Sequence, residues 1–324
     1  MNRKKGILLL AIVLATSFIM TGCMWSSNPL SFRNWSFNPF RFLTSRTHII
    51  NETETFSIDG INDLVVDVLV KELRIVETND SQATVDLQGS MNANFSPELI
   101  VEKSGKNITI RSHKKTLSST NVYKNELIMT VSIPAGYDQN LSASTVSGVI
   151  NMNGFNLNNL ELSNVSGAIN FDKSAANDTK ISTVSGALTA NNIKSDRFEI
   201  TTVSGKISLG DISSDAITAK SVSGAIDVFG EINSITAKST SGKVTASIDH
   251  LNGNIDITTI SGAVELDIPE NSDYRLNFST VTGGFEPGSG LVIEQIKNND
   301  VTAVKGNGTN SVKVSTTSGK LTIR

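Results

Sequence analysis

From Leu141 to Arg324 the apolar residues recur in a fixed register around a Val-Ser-Gly triplet. Seven and five residues before the glycine lie pairs such as Leu160 and Leu162, Phe198 and Ile200, or Ile255 and Ile257; two and four after it lie Ile169 and Phe171, Ile207 and Leu209, or Val264 and Leu266. Each pair alternates with its neighbours at period two, the mark of a strand with one buried face, and neither run has helical spacing. The glycines are Gly148, Gly167, Gly186, Gly205, Gly224, Gly242 and Gly262, followed by looser copies at Gly283 and Gly319. Their gaps of 19, 19, 19, 19, 18, 20, 21 and 36 residues describe one unit copied about nine times, with an insertion before the last copy.

A unit of this size cannot bury both rims of its own core, so the copies must stack, each strand pairing with the same strand of the next coil. The pattern predicts an all-β chain whose repeats, 141–324, form a parallel β-solenoid of the single-stranded β-helix type with about 19 residues per coil. At about 4.8 Å per coil the stack reaches on the order of 45 Å. The inward parity changes within each unit. Positions seven, five and three before the glycine share one face, and Val203, Gly205, Ile207 and Leu209 share the other parity, which places a bend at Thr202–Val203. Glycine then stands inside the corner, either because a side chain would crowd the turn or because the backbone needs positive φ. The Leu-x-x-Leu-x-Leu core of leucine-rich repeats, the Gly-Gly-x-Gly-x-Asp of calcium β-rolls and a six-residue sub-period are all missing.

Between Ile49 and Asn140 the alternation continues without the period. Leu64–Val70, Leu73–Thr78, Ala83–Gly89 and Glu126–Pro134 read as strands, and a hairpin is expected around Ser104–Gly105. This N-terminal β region, 49–140, is expected to share one core with the repeats. The insertion 286–310 is expected to fold over the final coil, Val314–Arg324, with Leu291, Val292, Ile293 and Ile296 against its core layer. An uncovered last strand would be a template for further pairing. A capped chain is expected to be a monomer.

Residues 1–22 read as a secretory leader: Arg3, Lys4 and Lys5 precede the apolar run Ile7–Met20, and the segment ends Met-Thr-Gly before Cys23. That ending resembles the lipobox of bacterial lipoproteins, in which the cysteine is acylated and becomes the mature N-terminus. Met20 departs from the usual leucine, and an uncleaved membrane anchor is the competing reading. Cys23 is the single cysteine of 324 residues, so the body has no disulfide. Residues 23–48 form an aromatic and basic linker carrying Trp25, Phe32, Trp35, Phe37, Phe40 and Phe42, six of the chain's 18 aromatics. Two readings stand for it, a segment resting at the membrane interface or a cap over the open end of the solenoid.

Three cations in the leader, three more in 24–48 and no acid before Glu52 leave residues 49–324 with −9 of a total charge of −3. An acidic body on a basic stem is held off an anionic surface while its base stays attached. Nucleic acid is not an expected partner. The Val-Ser-Gly coils, the Ser-Ile-Pro at Ser132–Pro134 and the closing GNGTNSVKVSTTSGKLTIR resemble the bacterial putative-adhesin family of β-solenoid domains of unknown function, over roughly Phe56 to Arg324. The resemblance implies a solenoid fold and extracytoplasmic placement, and brings no catalytic or binding residues.

Long β-helices also include polysaccharide-active enzymes, so the outward columns matter. Three residues after the glycine, Asp227 and Glu265 fall two coils apart, about 9–10 Å by strand spacing, near the carboxylate separation of inverting glycosidases. No other catalytic groups converge on them. His48, His113 and His250 are far apart in sequence, and no metal or cofactor site is expected. The other outward columns are small and polar: Ser144, Ser163, Ser182 and Thr201 continue four residues before the glycine, and serine stands directly before it in the first seven copies, followed by Thr282 and Ser318. Such a face suits contact with an envelope glycan or protein, though exposed ladder positions also favour hydroxyls for structural reasons. Paired Thr-x-Thr of an ice-binding plane is missing. The expectation is a lipid-anchored structural or interaction protein on the extracytoplasmic face of a bacterial membrane, attached through Cys23, with a polysaccharide-active enzyme as the alternative.

Overall fold

The computed structural model describes residues 45–114 and 121–324. Three groups of strands follow one another. The first contains β1 (Arg46–Phe56), β2 (Asp63–Val68), β3 (Glu72–Thr78), β4 (Ala83–Ala93), β5 (Ile100–Ser104), β6 (Asn107–Arg111), β7 (Val122–Asn125) and β8 (Ile128–Pro134). The second contains β9 (Asn140–Thr145), β10 (Val149–Asn153), β11 (Asn156–Asn164), β12 (Ile169–Thr183), β13 (Leu188–Thr201), β14 (Ile207–Ser221), β15 (Ile226–Ser239), β16 (Val244–Ile248), β17 (Ile255–Thr259) and β18 (Val264–Asp267). The third contains β19 (Tyr274–Thr280), β20 (Phe285–Glu286), β21 (Val292–Lys297), β22 (Asp300–Lys305), β23 (Asn310–Thr316) and β24 (Leu321–Ile323). The parallel β-solenoid expected from the repeats is the observed fold.

Each central coil has three sides. In β12 the inward residues are Ile169 and Phe171, then Ser174 and Ala176, then Thr179, Ile181 and Thr183, so the parity shifts twice inside one bent strand. The first shift falls at Lys173 (φ 49°), and Asn192 (φ 55°) and Asp211 (φ 51°) repeat it in the next two coils. These residues occupy the left-handed region, where Asn and Asp are the best tolerated of the larger side chains. The sequence pattern indicated two runs and one corner per unit. The third side is a finding of the structure.

The stack does not follow chain order at its ends. On the side that leads into the glycine corner, the parallel pairings run β6–β2–β9–β11–β12–β13–β14–β15–β17–β23–β19. The first strand of this side in sequence, β2, and the last, β23, each lie one layer inside the stack. Antiparallel strands complete both ends: β5 pairs with β6, and β22 pairs with β19 and then with β21. On the adjoining side β1 pairs antiparallel with β4, and β4 with β8. A continuous hydrophobic core, including Leu73, Ile75, Phe171, Phe198, Ile207, Leu276 and Val314, runs through the stack.

This order corrects the expected C-terminal end. The final coil, with Gly319, is interior, and the coil of Gly283 is outermost among the parallel layers. The segment 286–310 supplies the hairpin β21–β22, but Val301 and Ala303 of β22 are the residues that face the core. Val292, Ile293 and Ile296 lie on the outer strand, 66%, 42% and 66% exposed, and only Leu291 packs in part against the core. The antiparallel turn at Asn298–Asn299, both at positive φ, sends β22 back along β19 and leaves β21 outside it.

Candidate functional site

The Val-Ser-Gly corner is built from three columns. Innermost is the glycine. A Cβ on Gly205 would fall on the carbonyl oxygen of Gly186, and the same holds for Gly224 over Gly205 and Gly262 over Gly242. Of the nine corner glycines only Gly167 has a positive φ, so crowding by the preceding coil is the requirement, not backbone conformation. Three residues before each glycine sits a buried polar side chain, Thr202 among them at 2% exposure. In six of the coils the glycine amide donates across the bend to a hydroxyl at that position, as in Gly205 N to Thr202 Oγ1 at 2.9 Å, Gly262 N to Thr259 Oγ1 at 3.0 Å and Gly319 N to Thr316 Oγ1 at 2.7 Å. The bend is thereby closed around two residues, Val203 and Ser204 in this coil.

That closure corrects the expected parity of the valine. The bend lies one step later than Thr202–Val203, and the valine turns outward. Val146, Val165, Val222, Ile260 and Val281 are exposed in one column along the corner, and Val184 and Val203 are half-buried members of it. The serines alongside are exposed, and their amides carry the inter-coil ladder, as in Ser204 N to Val184 O and Ser241 N to Val222 O. The result is a mainly apolar ridge, broken by Thr240 and Thr317, beside a hydroxyl row.

The two carboxylates of the enzyme reading are in the predicted register, with Asp227 beside Thr245 and Thr245 beside Glu265. Each is engaged by a lysine of a neighbouring coil, Lys206 to Asp227 at 2.8 Å and Lys243 to Glu265 at 2.8 Å. The Lys243 hydrogen bond, aided by Arg324, holds the Glu265 carboxyl below the usual carboxylate range despite some desolvation and the nearby Asp227. A general acid needs the opposite shift. Lys320 pairs with Glu286 in the same pattern at 2.6 Å, so the column is a set of inter-coil ion pairs.

Sequence reasoning missed a groove of about 190 Å³ on the third side, lined by Lys194, Asp196, Asp215, Glu231, Asn233 and His250 among others. It forms where the loop 249–254 replaces the regular third side. The break of the period to 18 and then 20 residues at Gly242 and Gly262 was its sequence signal. Asn233 Nδ2 donates to Asp215 Oδ1 at 2.9 Å, which leaves a polar, mixed-charge wall able to accept and donate hydrogen bonds. His48 lies in β1 and His113 follows β6, apart from His250. Among the described residues no group of three or more His, Cys, Asp or Glu is placed to hold a metal ion. Cys23, the leader and the segment 24–44 lie outside the described residues.

The model of the family described as Toastrack DUF4097 matches residues 61–324. The chain belongs to the Toastrack family. No curated protein matches it. Among solved structures, this Toastrack chain is similar to a putative adhesin from Parabacteroides distasonis, at 14% identity and a TM-score of 0.50, over 85% of this chain and 97% of that one. A putative adhesin from Parabacteroides merdae is also similar, at 14% identity and a TM-score of 0.47, over 85% and 96% of the two chains. At these identities the likeness concerns the fold.

Proposed function

We propose that this Toastrack chain is a lipid-anchored, extracytoplasmic interaction protein of the bacterial envelope, adhesin-like in that its lateral surface binds rather than transforms a partner. The observation that carries the reading is the corner itself: a row of valines with Ile260, interrupted by Thr240 and Thr317, beside a row of exposed hydroxyls, repeated at strand spacing on a stack whose core is continuous. An apolar strip flanked by hydroxyls suits an extended partner, either a glycan or a protein. Anchoring rests on the leader and on Met-Thr-Gly before Cys23. The similar fold from Parabacteroides distasonis belongs to a protein described as a putative adhesin, which accords with binding.

Two measurements test this. A fatty-acid probe fed to expressing cells should label the wild type and leave Cys23→Ser unlabelled; equal labelling removes the anchor. Capture of envelope glycans and proteins by the full chain should fall when Val146, Val165, Val222, Ile260 and Val281 are replaced by serine with the β-sheet spectrum intact. Unchanged capture moves the contact off the corner. Breakdown of an envelope polysaccharide that disappears in Asp227→Asn or Glu265→Gln replaces binding by catalysis.

A further inference from the structure

Among the described residues strand β1 has one neighbour. It pairs along all eleven residues with β4, from Arg46 opposite Ala93 to Phe56 opposite Ala83, and no strand among the described residues lies on its other edge. A long row of unpaired amides and carbonyls is a template for another strand. The other edges are poorer templates. β21 carries a register shift between Ile293 and Gln295, and such a bulge blunts an edge. β5 has five residues, three of which, Glu102 to Ser104, are exposed.

We propose that β1 is the interface of a two-fold symmetric dimer, formed by antiparallel pairing with β1 of a second copy. A two-fold axis perpendicular to the sheet keeps each side chain on its own face, so the axis must pass through one residue. With Ile50 at the axis, Arg46 stands opposite the second copy's Glu54, and His48 opposite the second copy's Glu52. Symmetry doubles both pairs. An axis at Ile49 keeps only Arg46 with Glu52, and an axis at Asn51 keeps only His48 with Glu54. This edge therefore places two complementary pairs in one register and only one in each of its neighbours.

The surroundings fit the same register. Arg46, His48 and Glu54 form no ion pair within the chain among the described residues. Glu52 accepts from Leu99 N through Oε2 at 2.6 Å, which holds the side chain in place and leaves Oε1 for the partner. On the other face Ile49 is 85% exposed, the most exposed of the large apolar residues described. In the proposed pairing it lies opposite Asn51 and diagonal to the second Ile49, within reach for apolar contact. Thr47 stands opposite Thr53, a favourable cross-strand pair. The expectation of a monomer came from the C-terminal edge, which is at the other end of the stack and does not bear on β1.

Charge reversal tests the proposal on the full-length chain in detergent, by sedimentation over a range of concentrations. The wild type should associate to dimers. Arg46→Glu alone and Glu54→Arg alone each place like charges opposite each other twice and should weaken the dimer about ten-fold. The double reversal, Arg46→Glu with Glu54→Arg, should restore it. Unfolding midpoints in urea for the three variants, measured at concentrations low enough that every form is monomeric, should match the wild type, which separates association from folding. A wild type that stays monomeric up to about a hundred micromolar overturns the proposal, whether the edge is bare or covered by residues 1–44. Association indifferent to all three variants overturns it as well, because another surface then makes the dimer.

Discussion

Gly283 rests against the carbonyl oxygen of Gly319, a residue that follows it by a whole insertion and a further coil, and not against that of Gly262. Gly319 in turn rests on Gly262. The backbone agrees: Ser318 N donates to Ile260 O, and Thr282 N donates to Thr317 O. The last coil of the chain is thus held on both rims. Its inward residues Val312, Val314, Leu321 and Ile323 are at most 4% exposed, as in any central coil.

The stacking of glycine on a carbonyl predicts that the corner tolerates no side chain. Gly205→Val should destabilise by several kcal/mol, because the Gly186 carbonyl must move and with it a core layer. Lys206→Ala removes an exposed ion pair to Asp227 and should cost less than about 1 kcal/mol. Chemical denaturation of the two variants checks this, and equal shifts would contradict the inward position of the glycine.

The hydroxyl three residues before the glycine makes a second prediction. Thr202→Val keeps the shape but strands the Gly205 amide, at about 1–3 kcal/mol for an unsatisfied buried donor. Thr202→Ser should retain most of the stability. Ser221 is the internal control: its Oγ is buried without a partner, so Ser221→Ala should be close to neutral. Urea unfolding in which Thr202→Val is as close to neutral as Ser221→Ala would show that the hydrogen bond does not hold the bend.

Much of this was legible in the sequence, and the exceptions have physical reasons. Period-two alternation located the inward aliphatics, because inward and outward residues differ in polarity at Phe198, Ile200, Ile207 and Leu209. The N-terminal strands were legible for the same reason, and β5–β6 turns at Gly105 with φ 60° as expected. The outward valine was misread because a β-branched residue one step from the core looks like core. The third side was obscured because its inward positions are mixed, with Ile193 and Ile212 in the same column as Ser174, and Ala176, Ser195 and Ser214 beside them, so no apolar alternation runs through every coil. Coil order at the ends was illegible because every coil offers its neighbour the same ladder, so the hydrogen bonds do not depend on which coil comes next in sequence. The groove at His250 was signalled by the broken period, a cue that composition alone does not carry.

The ion-pair column predicts a pH response of known sign. Glu265 has its folded pKa lowered, first by the Lys243 hydrogen bond, so whatever stability it contributes is present above the ordinary carboxylate value and is lost as pH falls through the lower, folded value. Asp178 behaves alike because of Arg197, whose Nη2 donates to Oδ2 at 2.7 Å. Carboxyl titration followed by NMR should find both below the usual range, and Lys243→Ala should raise Glu265. A titration of Glu265 that Lys243→Ala leaves in place would contradict the assignment.

The order of the coils is the claim on which the closed C-terminal end rests, and engineered disulfides test it most directly. In a Cys23→Ser background, cysteines at Asp256 and Lys313 occupy directly paired positions of β17 and β23. Neighbouring strands lie about 4.8 Å apart, within the Cα range a disulfide needs. Cysteines at Asp256 and Asn277 are separated by β23, which pairs Lys313 with both. Mild oxidation should cross-link 256 with 313 within one chain and leave 256 and 277 as free thiols. Cross-linking of 256 with 277 in place of 313 would mean that the coils stack in sequence order and that the C-terminal coil lies at the end of the stack.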